Sequence, residues 1–190
     1  MARRGSAKLS GAIQLLEAGL GLKRVKRSGW VEAGVKNPES VADHGYSLAL
    51  LSMVAADLLG MDAEKAMRMA LLHDLPEAFT DDLTPREKNK VRKEMLNNIE
   101  GGILRELTSG LPDGVRRRYL ELYREYVEGR SREARLLHAL DRLEMALEAS
   151  RLQKEQNIKL ERFMRDASRN PTTREIMESI AKQGGKKPDI

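Results

Sequence analysis

The sequence predicts an all-α fold, a single helical bundle, on three observations. Apolar residues recur at the three- and four-residue spacing of helices in segment after segment. Alternating runs of Val, Ile, Thr and aromatic residues, which mark strands, are missing. Residues that start and stop helices stand at the ends of the periodic segments.

Taken in order, a first helix is expected from about Lys8 to Leu20, with Ile13, Leu16 and Leu20 as its apolar stripe and Gly21 able to end it. The connector from Gly21 to Glu39 is irregular and basic. Ser40 followed by Asp43 forms a capping-box pattern that opens a helix carrying His44, Leu48, Leu51 and Ala55, closed by Gly60. Asp62 can cap the next helix, which runs through Ala66, Met69 and Ala70 to His73 and Asp74 before Pro76 interrupts the hydrogen bonding. Thr84, Pro85 and Glu87 supply cap, first-turn proline and capping-box acid for a long helix through Ile99 and Leu107, stopped by Gly110 and Pro112. Another helix carries Tyr119, Tyr123 and Tyr126 to Gly129. Ser131 opens a long one with Leu137, Leu140, Asp141, Leu143 and Leu147, and a short helix follows Pro171.

The 190 residues suit one domain, with a core over about residues 8–155 and a C-terminal helix and loose tail over 156–190, the tail running from Gly184 to Ile190. The absence of cysteine excludes disulfides, thiolate metal sites and a cysteine nucleophile, so any metal must be held by nitrogen and oxygen. A net charge of +5 favours anionic ligands such as phosphate esters without requiring nucleic acid. The N-terminal stretch lacks the pattern of a signal peptide, and the most apolar run, Leu48 to Leu59, is too short to cross a bilayer. A cytoplasmic location is expected.

Only three histidines are present, His44, His73 and His138. His73 and Asp74 form an ionisable pair near the end of an apolar helix, where burial is costly unless a metal or hydrogen bonds compensate. Taken alone, such a pair is more often structural. His44, beside Leu48 and Leu51, reads equally as a core histidine satisfied by a carbonyl. Asp141 among Leu137, Leu140 and Leu143 is a third costly group, and one cation would relieve all of them. Two imidazoles and two carboxylates suit Mn²⁺, Co²⁺, Fe²⁺ or Zn²⁺.

The segments Pro38-Glu39-Ser40-Val41-Ala42-Asp43-His44, Leu71-Leu72-His73-Asp74-Leu75-Pro76-Glu77 and Asp141-Arg142-Leu143-Glu144 resemble the HD-domain phosphohydrolases, whose order H, HD, D they reproduce. Within that superfamily the chain resembles the YfbR-like 5′-deoxynucleotidases over about Leu22 to Ser150. The resemblance implies that His44, His73, Asp74 and Asp141 hold one divalent metal ion and that Glu77 and Asp82 perform acid–base work. It implies that Arg27 holds the substrate phosphate and that Trp30 shapes the sugar end of the pocket, favouring deoxyribose. It also implies a homodimer. The bland alternatives are an exposed first-turn acid for Glu77, a solvated basic loop for Arg27 and a core tryptophan for Trp30. The chain departs from its relatives at Asp81, where they usually carry glycine, and an αL turn is expected there. His138 has no counterpart in the motif and is expected in the core or behind the metal ligands. The tyrosines at 119, 123 and 126 read as core or dimer surface, and Arg116, Arg117 and Arg118 as a solvated face.

The leading expectation is metal-dependent hydrolysis of (deoxy)nucleoside 5′-monophosphates to nucleoside and phosphate. A second keeps the metal site but changes the substrate to another phosphate ester, such as a nucleoside triphosphate or cyclic nucleotide. A third, a non-catalytic basic helical binding module, fits the charge but not so many costly acids, which makes nucleic acid an unlikely partner.

Overall fold

The computed structural model describes residues 2–84, 87, 91–171 and 173–175. They form nine named helices: α1 (Ala2–Leu22), α2 (Ser28–Glu32), α3 (Val41–Leu58), α4 (Ala63–Leu72), α5 (Glu77–Thr80), α6 (Lys93–Leu107), α7 (Asp113–Glu128), α8 (Arg132–Gln156) and α9 (Glu161–Arg169). Among the described residues there is no strand, only an isolated antiparallel bridge between Lys26 and Ser40. The all-α expectation holds.

Three caps read from the sequence are present. Ser40 and Asp43 complete the capping box of α3, Asp62 accepts from Lys65 N at the start of α4, and Ser131 accepts from Ala134 N at the start of α8. Each satisfies a backbone N–H that the helix cannot, a contribution of about 1 kcal/mol apiece. Gly129 ends α7 in the left-handed conformation that glycine adopts without strain.

The centre of the molecule is the packing of α3 against α4, with α8 lying across both. Leu48, Met69, Leu137, Leu140 and Leu143 are almost or fully inaccessible there, each stabilising the fold by about 1.5–3 kcal/mol. A second, smaller core joins Trp30 and Val35 to Ala149 and Leu152 of α8 and to Leu160. The 25-residue α8, about 37 Å long at the helical rise, runs through both cores. Asp141 sits on it between the two.

Three expectations need correction. The stripe Ile13, Leu16 and Leu20 of α1 is exposed, and the inward face is Gly11, Leu15, Ala18 and Leu22. Gly11 decides this: a Cβ there would lie 2.4 Å from the carbonyl carbon of Gly110, so backbone meets backbone and only glycine fits. Thr84 and Glu87 do form their reciprocal hydrogen bonds, but Arg92 is extended and α6 starts only at Lys93, so no single helix runs from the cap to Leu107. Pro85 lies outside the described residues. Leu147 is exposed, unlike its neighbours on α8. The short helix expected after Pro171 is present, residues 171 and 173–175 being helical; ahead of it stands α9, a helix not expected from the sequence, seated by the fully buried Leu160. The segment from Gly184 to Ile190 lies outside the described residues.

Candidate metal centre

His44 is on the first turn of α3 after its cap, one turn before Leu48, so the stripe that buries Leu48 also buries the imidazole completely. His73 caps the C-terminus of α4 and Asp74 follows in the tight turn that Pro76 leads into α5. Asp141 comes from the middle of α8. The three helices bring these groups to one point. Asp74 Oδ2 lies 3.0 Å from His73 Nε2 and 3.9 Å from His44 Nε2, and Asp141 Oδ1 lies 3.3 Å from His44 Nε2.

Two of these atoms, His44 Nε2 and Asp74 Oδ2, are buried and make no hydrogen bond of acceptable geometry. Buried polar atoms are rarely left so. Donor atoms 3.0–3.9 Å apart are spaced as neighbours around one ion with bonds of about 2.0–2.2 Å. His44, His73 and Asp141 each place one ligand atom within 4.8 Å of the others, a set that fits one divalent ion, and Asp74 Oδ2 lies beside both imidazoles.

The electrostatics agree. Burial and Arg27 oppose a charge on His44, but the Asp141 and Glu144 carboxylates beside its two ring nitrogens outweigh them and push it up to about 10. Burial also works against the Asp141 carboxylate, yet His44 and Arg27 bring it down to about 2. Against the same penalty, His73, Arg27 and His44 hold Asp74 well below the usual carboxylate range. Carboxylates predominate, so the centre attracts positive charge and takes a proton on His44 where it has no other cation.

Arg27, the N-cap of α2, is no solvated loop residue: its side chain is 12% exposed and its Nη1 lies 3.6 Å from Asp74 and 3.5 Å from Asp82. Lys23, Arg24 and Lys26 are exposed. Paired hydrogen bonds between Arg27 N and Glu39 O and between Val41 N and Val25 O hold this segment beside the start of α3. Asp82 is buried, accepts from Ser28 N at 2.7 Å and receives the Ser28 hydroxyl on its carbonyl. Glu77 is buried, not exposed, at the first position of α5, and it does not line the cleft described below. Asp81 has φ 58 and ψ 167, outside the αL region expected for it and in a region essentially reserved for glycine, a strain of about 1–3 kcal/mol placed next to Asp82. His138 donates from Nε2 to the Tyr126 carbonyl and stacks on that ring, away from the metal set.

A cleft of about 470 Å³ opens onto this centre, its lining including Arg27, Asp74, Asp82 and Asp141 together with Gly29, Met145, Phe163 and Asp166. Trp30 does not line it. The indole is wholly buried beneath the wall, 4.3 Å from Phe163 between ring centroids, and donates from Nε1 to Glu39 Oε1 at 2.8 Å. Sequence reasoning missed the wall contributed by α9, Tyr126 on the cleft lining, and Glu144 behind His44. Only Glu144 carried a signal, a carboxylate three residues after Asp141 in an apolar helix.

A model of the HD domain matches residues 21–181. The chain belongs to the HD domain family. Among curated members of that family, a 5′-deoxynucleotidase HDDC2 of Dictyostelium discoideum is 36% identical over 174 residues, covering 85% of this chain and 90% of its own. The mouse protein of the same name is 36% identical over 150 residues, 79% of this chain and 74% of its own. A conserved hypothetical protein of Pyrococcus furiosus superposes with a TM-score of 0.73 at 32% identity, over 90% of this HD-domain chain and 99% of that one.

Proposed function

We propose that this chain hydrolyses deoxynucleoside 5′-monophosphates to nucleoside and inorganic phosphate, with one divalent ion held by His44, His73, Asp74 and Asp141. The observation that carries the proposal is the pair of buried, unsatisfied atoms, His44 Nε2 and Asp74 Oδ2, beside a cleft lined by Asp74, Asp141 and the largely buried Arg27. The activity named for the Dictyostelium and mouse relatives supports the choice of substrate.

A bound ion supplies Lewis acidity toward a phosphoryl oxygen and toward water. The rest falls to the chain. Arg27, fixed between Asp74 and Asp82, presents its guanidinium to the phosphate, where paired N–H groups match phosphoryl oxygens. Asp82 lines the cleft, takes the proton as water adds to phosphorus, and returns it to the departing 5′ oxygen as the P–O5′ bond breaks. Glu77, buried behind the turn, shapes the field around Arg27. Met145, Phe163 and Gly29 give the nucleoside an apolar wall.

The cleft favours a monophosphate over a triphosphate. Its cations are Arg27 and Arg142, set against Asp74, Asp82, Asp141 and Asp166; a divalent ion brings this set to about neutral and leaves no cation over for the added charges of a triphosphate. The available donors are N and O, which suit Mn²⁺, Co²⁺, Fe²⁺ or Zn²⁺. The reading needs no membrane: no helix among the described residues is long and apolar enough to cross one, and we place the protein in the cytoplasm.

The test is phosphate release from a panel of deoxy- and ribonucleoside 5′-monophosphates, triphosphates and cyclic nucleotides, with Mn²⁺, Co²⁺ or a chelator. Metal-dependent release from deoxynucleoside monophosphates in preference to the others is expected. Turnover that survives exhaustive chelation would exclude the mechanism, and preference for a triphosphate or cyclic ester would exclude the substrate. A homodimer is part of the same proposal, supported by the exposed apolar stripe Tyr46, Leu50, Val54 and Leu58 along α3. Sedimentation of the chain as a monomer at micromolar concentration would remove it.

A further inference from the structure

The reaction uses no group on Glu144, yet this carboxylate is buried to 7% exposure in α8, one residue beyond the core Leu143. Its Oε2 lies 2.7 Å from His44 Nδ1. A buried acid in such a place requires a reason.

The two histidines of the centre differ in how they are held. His73 Nδ1 lies 2.7 Å from the carbonyl oxygen of Ala70, three residues back in its own helix. A carbonyl only accepts, so Nδ1 carries the hydrogen and Nε2, 3.0 Å from Asp74, keeps its lone pair for a cation. That restraint is backbone, and no side-chain substitution elsewhere removes it. His44 sits in α3 with its own backbone N–H spent on Ser40 and has no such carbonyl. Its ring is oriented by one side chain from a different helix. Glu39, whose acceptor atoms lie within 4.8 Å of the same ring and of Glu144, is already engaged by the Trp30 indole.

We propose that Glu144 is the positioning residue of the centre: it accepts the Nδ1 hydrogen of His44 and so turns the Nε2 lone pair toward the space shared with Asp74 and Asp141. The proposal rests on the reading of His44 as a metal ligand. The carboxylate also strengthens the imidazole as a donor, as acids behind metal-bound histidines do. The arrangement ties α8 to the metal twice, directly through Asp141 and indirectly through Glu144.

The experiment is calorimetric titration of the full-length chain with Co²⁺ for the parent, Glu144→Leu and Glu144→Gln, with thermal melts of each to establish folding. The leucine variant is expected to bind Co²⁺ about 10–100-fold more weakly. Glutamine, whose amide oxygen still accepts from Nδ1, should recover most of the affinity. Turnover by the leucine variant should climb back as Co²⁺ is raised, because a positioning residue takes no part in the chemistry. Parent-like affinity in Glu144→Leu would overturn the proposal, as would a glutamine variant as weak as leucine. Should leucine not fold, the ¹⁵N spectrum of the Zn²⁺-loaded parent decides: protonated Nδ1 with metal-bound Nε2 on His44 is expected, and the reverse arrangement overturns the assignment. A folded parent that binds neither ion overturns the metal reading itself, a result distinct from the others.

Discussion

Asp74→Ala is expected to lower turnover of deoxynucleoside 5′-monophosphates by at least about 10³-fold and to leave the protein without its ion after dialysis. Asp74 Oδ2 is the common neighbour of His73 at 3.0 Å, Arg27 at 3.6 Å and His44 at 3.9 Å. Breaking a buried charge cluster by removing one partner costs about 3–5 kcal/mol. Felt in the transition state, that is roughly 10²–10⁴-fold in rate. Losing the ion adds to it. The fold should survive, because Asp74 is in a turn and the leucine and methionine side chains between α3, α4 and α8 do not depend on it. Circular dichroism would show parent-like helix content while phosphate assays and metal analysis show the loss. A variant that kept turnover within tenfold of the parent would move the reaction away from this centre.

The same centre sets the pH dependence of metal uptake. Against burial and Arg27, the neighbouring Asp141 and Glu144 carboxylates push His44 up to about 10 in the absence of a cation. An ion needs the neutral ring, so near neutral pH it must displace a proton. Affinity should therefore strengthen as pH rises toward about 10, with proton release visible as a buffer-dependent binding enthalpy. Asp74 and Asp141, both held below the usual carboxylate range, stay anionic across this window and contribute no slope.

The proposed metal set was legible in the sequence because each member violates an expectation of burial. An imidazole beside Leu48, an acid among Leu137, Leu140 and Leu143, and a His-Asp pair at a helix end each need a partner, and one cation would satisfy them together. The caps at Ser40, Asp62 and Ser131 were legible because capping is local chemistry. What could not be read is which of two possible faces is covered. The period of α1 shows that Ile13, Leu16 and Leu20 share a face, but the contact of Gly11 with Gly110, 99 positions apart by numbering, turns the opposite face inward. The cleft is equally non-local. Arg27 meets Asp82 across 55 residues and Met145 across 118, and no periodicity encodes such meetings. Tyr126, Phe163 and Asp166 reach the cleft by the same kind of juxtaposition, so resemblance could point to Arg27 but not to them.

Trp30→Ala is expected to destabilise the protein by about 3–5 kcal/mol, the range for deleting a buried aromatic side chain. The indole is fully inaccessible, packs against Phe163 and belongs to the core that holds Val35, Ala149, Leu152 and Leu160. Its N–H also donates to Glu39, a carboxyl that burial, opposed by this hydrogen bond, pushes up to about 7. Losing the donor leaves Glu39 beside Glu144 with less to hold its charge, so the defect reaches toward His44. Trp30→Phe retains most of the volume and loses only the N–H, and should cost about 1–3 kcal/mol. The pair of variants separates two roles for Trp30. A tryptophan touching the sugar would change the ratio of deoxy- to ribonucleotide turnover in Trp30→Phe with little change in melting temperature. A tryptophan beneath the wall lowers the melting temperature first and alters selectivity only as far as Phe163 moves. The burial favours the second, and a double-mutant cycle with Phe163→Leu, read by thermal melts, should give a coupling of about 0.5–3 kcal/mol. A collapsed deoxy-to-ribo ratio at unchanged stability would instead return Trp30 to the substrate.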